Sequence, residues 1–259
     1  MKGKRLDQRL FELGLAESRE KAKATIMSGI VYVNGQKSDK PGTQVSDDAE
    51  IVVRGNACPY VSRGGFKLAK ALEVFPVEPA GKVCIDCGAS TGGFTDVLLT
   101  RGAAKVYAVD VGHGQLAWKL RNDPRVAVLE KTNARHLTTA EIPDPIDLVV
   151  CDASFIGLEI VLPAALDLVV PGGRLVALIK PQFEVGKGRV GKGGVVREPE
   201  LHREVCDRIR DWLDARPGWR VLDITESPIT GPEGNKEFLI GAVKDRDLPC
   251  ESPGATSAP

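Results

Sequence analysis

Residues 83–94 read VCIDCGASTGGF. Val83–Asp86 is a short apolar run of the kind that makes a buried strand, and the chain then passes through Cys87-Gly88-Ala89-Ser90-Thr91-Gly92-Gly93 and opens a helix at Phe94. Gly88 lets the backbone turn without a Cβ clash, and Gly92-Gly93 lets a ligand approach the main chain closely. The next apolar run, Val106–Asp110, ends in a carboxylate 24 residues after Asp86. A carboxylate there accepts hydrogen bonds from both ribose hydroxyls of a nucleoside cofactor. The spacing D-x-G-x-x-x-G-G departs from the G-x-G-x-x-G dinucleotide fingerprint, and nothing marks a pyrophosphate site. It suits S-adenosyl-L-methionine better than NAD; a purely structural strand-to-helix turn is the competing reading. The expected cofactor contacts are Asp86, Gly88, Ala89, Ser90, Gly92, Gly93, Phe94 and Asp110.

Outward from this stretch, Val126–Leu129, Leu148–Asp152 and Leu175–Ile179 are further short apolar runs, with acids or lysine at their carboxyl ends and helical stretches between several of them. That alternation predicts an α/β fold, a Rossmann-like doubly wound sheet whose chemistry sits at its carboxyl edge. Residues 4–60 read as a separate small α+β unit. Leu6, Leu10, Leu13 and Leu15 recur at helical spacing, and Ser18 caps a second helix that Gly29 stops. Ile30–Val33, the Asn34-Gly35 turn and Ala49–Val53 then predict a small sheet with a hairpin. Residues 54–63 form the linker, 61–245 the catalytic domain, and 246–259 a polar, proline-rich tail that is expected to be disordered.

The 259 residues are 42% hydrophobic and 27% charged, with zero formal net charge, so any nucleic-acid affinity must come from where the charges stand. Charges interrupt the N-terminal stretch MKGKRLDQRLFELG, leaving no signal-peptide core, and no apolar span is long enough for a bilayer. Six scattered cysteines without framework spacing point to a reducing, cytoplasmic setting. Cys84 and Cys87 form a lone C-x-x-C without a second pair, so no metal site is expected, and His113, His136 and His202 stand isolated. Trp118, Trp212 and Trp219 read as packing residues.

Four charged residues stand where this architecture gathers chemistry: Lys67 on a helix before the first strand, Asp152 and Lys180 at the ends of later strands, and Glu237 at the start of a late one. A ribose 2′-hydroxyl is a poor nucleophile, whereas a sulfonium methyl donor is already activated. The enzyme must align the oxygen and handle its proton. A buried lysine can serve as base while carboxylates and a second lysine hold it in line. Taken singly, each is equally well read as a solvated lysine or a capping acid.

With these residues in place, Gly64 to Lys244 resembles the FtsJ-like ribose 2′-O-methyltransferases, whose Lys-Asp-Lys-Glu set matches Lys67, Asp152, Lys180 and Glu237 in order and context. Residues 4–53, with Arg5-Leu6-Asp7, Arg19, Ala22 and Val33-Asn34-Gly35, resemble an S4 RNA-binding domain. The two in this order are similar to the TlyA (haemolysin A) family of bacterial rRNA methyltransferases. Tyr60–Gly65, Ala108–Gly112, Thr132–Arg135, Lys180–Glu184 and Gly234–Leu239 carry that resemblance beside the glycine turn. It implies S-adenosyl-L-methionine as donor, a cytidine 2′-hydroxyl of ribosomal RNA as acceptor, and Val111, Asn133 and Asp152 as further cofactor neighbours.

Lys4, Arg5, Arg9, Arg19, Lys21 and Lys23 cluster on the first two helices and are the expected RNA contacts there; a solvated face is the alternative. Arg63 joins them from the linker. Residues 185–197, VGKGRVGKGGVVR, carry five glycines and four basic residues with no acid. They read as a flexible loop closing over RNA through Lys187, Arg189 and Lys192, or else as a plain surface loop. The chain is expected to act as a monomer on ribosomal RNA or a ribosomal subunit, away from membranes. The competing functions are a pore-forming haemolysin, a non-catalytic RNA-binding module and a base methylase. The N-P-P-Y-type motif of many amino-group methylases is absent, the fourth strand ending Cys151-Asp152-Ala153-Ser154-Phe155.

Overall fold

A computed structural model of the chain describes residues 3–16, 18–54, 58–186 and 188–246. Lys187, the middle of the expected linker (55–57) and the tail from 247 lie outside the described residues. The chain divides into two compact units between Arg63 and Gly64.

In the first unit, β1 (Lys4–Arg5) leads into α1 (Leu6–Glu12), followed by α2 (Arg19–Met27), β2 (Val31–Val33), β3 (Gln36–Lys37), β4 (Gln44–Val45) and β5 (Ile51–Val53). Ser18 caps α2, its Oγ accepting the Lys21 N–H at 3.1 Å, and Gly29 (φ +73°) ends the turn that follows. The β2–β3 hairpin reverses through Asn34 and Gly35, both at positive φ, as an Asn-Gly turn requires. β5 pairs with the other edge of β2, while β1 pairs with β4, a two-stranded element the sequence did not announce. Leu6, Leu10, Ala22, Ile26, Val31 and Val45 form a small core of this unit's own.

The second unit runs α3 (Gly64–Val74), β6 (Val83–Cys87), α4 (Gly93–Thr100), β7 (Lys105–Asp110), α5 (Trp118–Arg121), β8 (Val126–Glu130), β9 (Ile146–Cys151), α6 (Leu158–Val161), α7 (Pro163–Asp167), β10 (Val169–Ile179), α8 (Pro181–Glu184), α9 (Pro199–Asp214), β11 (Trp219–Glu226) and β12 (Phe238–Lys244). Its strands form a seven-stranded sheet in the order β11-β12-β10-β9-β6-β7-β8. From β10 to β8 neighbours are parallel; β12 runs antiparallel to both of its neighbours, β10 and β11. The doubly wound sheet expected from the sequence is present, and the late strand that Glu237 precedes is β12, which with β11 extends the β10 edge. β10 is also longer than the run 175–179 suggested, taking in Pro171-Gly172-Gly173 at a register shift.

Side chains alternate across this sheet with period two. Ile85, Cys87, Tyr107, Val109, Val149, Cys151, Leu175, Ala177, Ile179, Ile240 and Ala242 join one core with α6, α7 and α9 residues such as Leu158, Leu166, Val205 and Ile209. The intervening positions face the layer of α3 and α4, where Phe75 lies so close to Gly241 that a Cβ there would sit 2.6 Å from the ring. Cys84, Cys87, Cys151 and Cys206 are buried free thiols, and Cys87 and Cys151 are register partners on neighbouring strands. Of the tryptophans expected to pack, Trp219 does so, whereas Trp118 at the start of α5 is 76% exposed because the helix it opens buries only Leu120.

Candidate functional site

The chain leaves β6 for β7 and β8 on one side and returns for β9 and β10 on the other, so the sheet order switches direction between β6 and β9. Open α/β sheets bind ligands at the carboxyl ends beside such a switch. The glycine turn (86–93) and the β9 exit (152–155) both stand there, Asp152 N–H donating to the Cys87 carbonyl at 3.1 Å.

Gly88 (φ +81°) crosses the β9 exit so closely that a Cβ would lie 2.9 Å from Ala153 Cα. At Gly92 (φ +98°) a Cβ would meet Leu120 Cδ1 at 2.3 Å and Leu116 Cδ1 at 2.8 Å. Glycine at 92 is thus also required by packing against the α5 segment. Asp86 and Phe94 are interior, and Asp86 Oδ2 accepts both the N–H (2.9 Å) and the hydroxyl (2.7 Å) of Thr95, tying the turn to the start of α4. Burial pushes the Asp86 carboxyl up to about 7, against the pull of Thr95. Ala89, Gly92 and Gly93 are buried, while Ser90 and Val111 are exposed and Gly88, Asp110, Asn133 and Asp152 half-buried.

Asp110, ending β7, accepts the Ser90 N–H on Oδ2 and the Gly112 N–H on Oδ1, each at 2.7 Å. Each oxygen keeps a lone pair for a further donor. Asn133 caps the short turn Ala134–His136, its Oδ1 accepting the Arg135 N–H at 3.1 Å. The Thr132 N–H donates to the Asp110 carbonyl, placing this cap beside the β7 end. An acceptor carboxylate, a glycine-bounded turn and an amide thus share one edge, an arrangement that fits a nucleoside cofactor.

Next to it, Lys67, Asp152, Lys180 and Glu237 form one chain of charges. Lys67 Nζ stands 2.6 Å from Glu237 Oε2 and 3.5 Å from Asp152 Oδ2, and Lys180 Nζ stands 2.6 Å from Asp152 Oδ1. All but Asp152 are less than a tenth exposed. Two ammonium and two carboxylate groups cancel, which makes their joint burial tolerable. Glu237 Oε1 is buried without a hydrogen-bond partner. Buried polar atoms in native proteins nearly always find one, so this oxygen invites a donor from a bound molecule.

Sequence reasoning missed three neighbours. Ser154 Oγ and the Asp152 carbonyl accept further hydrogen bonds from Lys180 Nζ, at 2.9 and 3.0 Å. Phe155 is 89% exposed with φ +66°, a strained conformation for a bulky residue, and its ring lies 4.9 Å from that of Phe183. A serine and two phenylalanines carry no signal in a linear reading; only the meeting of the β9 and β10 exits gives them meaning.

The basic residues are more engaged than a free stripe would be. In the first unit Arg5 and Arg19 converge on the fully buried Asp7, at 3.0 and 3.4 Å, and Arg5 holds the Asp7 carboxyl below the usual carboxylate range. Lys4 pairs with Glu12 at 2.9 Å and Arg9 donates to the Asp47 carbonyl. Lys21 and Lys23 lie on α2, and Arg63 is exposed. In the second unit Arg189 pairs with Glu204 through two contacts of 2.5 and 2.6 Å, and Lys192 sits in a short turn. The expected flexible loop is partly anchored: Asn235 accepts the Val196 N–H and donates to the Gly194 carbonyl, and Val195 and Val196 are buried.

Residues 60–244 match the FtsJ-like methyltransferases, and residues 4–51 match the S4 domain. The 16S/23S rRNA (cytidine-2'-O)-methyltransferase TlyA of Mycobacterium tuberculosis (strain ATCC 25618 / H37Rv) is 48% identical over 98% of this chain and 95% of its own. YqxC of Bacillus subtilis (strain 168), provisionally named an rRNA methyltransferase, is 51% identical over 92% of this chain and 85% of its own. A solved structure of a hemolysin-named protein from Streptococcus thermophilus has a TM-score of 0.73 and 43% identity, covering 96% of this chain and 90% of its own. The chain belongs to the FtsJ-like methyltransferase family and carries an S4 domain ahead of the methyltransferase fold.

Proposed function

We propose that this protein transfers a methyl group from S-adenosyl-L-methionine to the 2′-hydroxyl of a cytidine in ribosomal RNA, working in the cytoplasm on rRNA or a ribosomal subunit. The observation that carries the reading is the continuous contact from Glu237 through Lys67 and Asp152 to Lys180, beside a turn and acid suited to a nucleoside. The donor supplies an electrophilic methyl group on a sulfonium. Asp110, Gly88 and Asn133 would hold its nucleoside part. Lys180 is the base: once its ammonium has given a proton to solvent, its amine would take the hydroxyl proton as the oxygen bonds to the methyl carbon and the methyl–sulfur bond breaks, the donor leaving as a neutral thioether. Asp152 and Ser154 fix that amine in direction, and Lys67 with Glu237 holds the hydroxyl in line. The exposed Phe155 ring offers a face on which the target base can stack.

Supporting substrate and site together are the 48% identity to a named cytidine-2'-O-methyltransferase and the S4 domain. In the first unit Arg5 and Arg19 are fastened to buried Asp7 while their own side chains stay about half exposed, so RNA phosphates would meet guanidinium groups already held in place. Lys180→Ala is expected to lower methyl transfer by ~10²–10⁴-fold with nearly unchanged cofactor affinity. Asp110→Ala is expected to do the reverse, weakening cofactor binding by roughly 1–3 kcal/mol while RNA affinity holds. Single-turnover transfer and calorimetric titration of both variants check this; wild-type transfer by Lys180→Ala would remove the assignment. The hemolysin name of one relative raises a second activity. Among the described residues no helix is long and apolar enough to cross a membrane, and dye leakage from liposomes with the purified protein tests it directly.

A further inference from the structure

Two segments leave the sheet edge on either side of the Asp152–Lys180 pair. One follows β9, carries Asp152, Ser154 and Phe155, and enters α6; the other follows β10, carries Lys180, and enters α8. Glu184, the last residue of α8, joins them, its Oε1 accepting the N–H of Leu158, the first residue of α6, at 2.9 Å. The Glu184 side chain is 3% exposed. Gly157 makes the approach possible, since a Cβ there would lie 3.1 Å from Glu184 Oε2. Arg208 of α9 closes the arrangement from outside. Its Nη2 donates to Glu184 Oε2 at 2.9 Å and to the Glu184 carbonyl at 3.0 Å, while Nη1 donates to Glu159 on α6. One guanidinium therefore grips both segments at once.

Stability alone is a weak reason for such a pair, because well-packed apolar residues often replace a buried ion pair without loss. What an ion pair adds is geometry. Burial pushes the Glu184 carboxyl upward even with Arg208 beside it, so the carboxylate depends on its partners to stay in place. No contact links Glu184 or Arg208 to Lys67, Asp152, Lys180 or Glu237 among those described, so their effect on the site is through the segments they fasten.

We propose that Glu184 and Arg208 are positioning residues for methyl transfer, a buckle that sets the spacing between the Asp152–Ser154 segment and Lys180 and so keeps the Lys180 amine aimed at the ribose hydroxyl. The proposal rests on the reading of Lys180 as base, and the test separates the two. It uses full-length protein with Arg208→Ala, Arg208→Lys, Glu184→Gln and, as reference, Lys180→Ala. Gln at 184 keeps an acceptor for the Leu158 N–H while losing the charge. Arg208 is 41% exposed, so shortening it leaves the core intact.

Single-turnover transfer to unmethylated rRNA is measured beside cofactor affinity, RNA affinity and thermal midpoint. Arg208→Ala and Glu184→Gln are expected to slow transfer by about 10–100-fold, the penalty of misplacing a reacting group by around an ångström. Both affinities should stay within about twofold of wild type, and Arg208→Lys should recover part of the rate. The double variant should be no slower than the slower single one, because one buckle can be opened only once. Transfer near the wild-type rate in both variants, with Lys180→Ala inactive, overturns the buckle and leaves the base assignment standing. A loss of rate matched by equal losses of both affinities also overturns it, as general disorder. Wild-type transfer by Lys180→Ala overturns the base assignment and the buckle with it.

Discussion

The Asp86 carboxylate is enclosed, with Oδ2 held by Thr95 and Oδ1 buried without a hydrogen-bond partner. An unfolded chain releases this proton near pH 4; the folded one holds it to about 7. Between those values folding takes up a proton, so the stability contributed by protonated Asp86 is complete below about pH 4 and lost as pH rises through 7. The advantage of the wild type over Asp86→Asn should therefore shrink from pH 5 to pH 8, by roughly 1–3 kcal/mol. Urea unfolding of both proteins at the two pH values checks this, and an unchanged gap would show that Asp86 is ionised throughout. At this scale the sequence was legible in placement: Asp110, Asp152 and Lys180 each close a short apolar run, and the structure sets them at the ends of β7, β9 and β10. It was illegible where a side chain turns back on its own segment: both donors to Asp86 Oδ2 come from Thr95, and no spacing in the glycine turn announces that pairing.

Local signals fared well where they are local in physics. Ser18 precedes α2 and does what a capping serine does, so Ser18→Ala should cost about 1 kcal/mol, confined to the first unit. Amide exchange at residues 22–29 should speed by roughly fivefold, the factor equivalent to that energy, while β6 to β10 keep their protection; a global change would mean the two units do not open independently. The Asn34-Gly35 hairpin was equally readable, because positive φ at two successive positions needs those residues. β11 escaped notice because it is an edge strand in which only Trp219 is buried, the other positions being half-buried or exposed without the clean alternation of a half-buried strand. β1 and β4 are two residues each, too short for any period to show. The anchoring of residues 194–196 depends on Asn235, some forty positions away, and glycine content alone suggested freedom.

Across the whole molecule, each unit has a core of its own, and the glycine turn, all seven strands of the large sheet and the lysine–acid chain lie beyond residue 63. Deleting residues 1–58 should thus leave a folded protein that binds cofactor. RNA affinity should fall and depend less on salt, because each lost lysine or arginine phosphate contact removes its share of counterion release. Equal salt slopes for the truncated and full-length proteins would show that the S4 domain is not the RNA anchor. The large sheet also contains an unplanned gauge of its own motion. Burial raises the thiols of Cys84 and Cys151 to about 12, that of Cys206 to about 11, and that of Cys87 well above its ordinary value. A thiol reacts as thiolate, and these can form one only when the strands around Cys84, Cys87 and Cys151 part or, for Cys206, when α9 lifts from the sheet. Half-buried Cys58 stands outside that sheet. The rate at which a thiol reagent consumes the slow cysteines, long after Cys58 has reacted, is therefore a clock for how often the centre of this enzyme breathes.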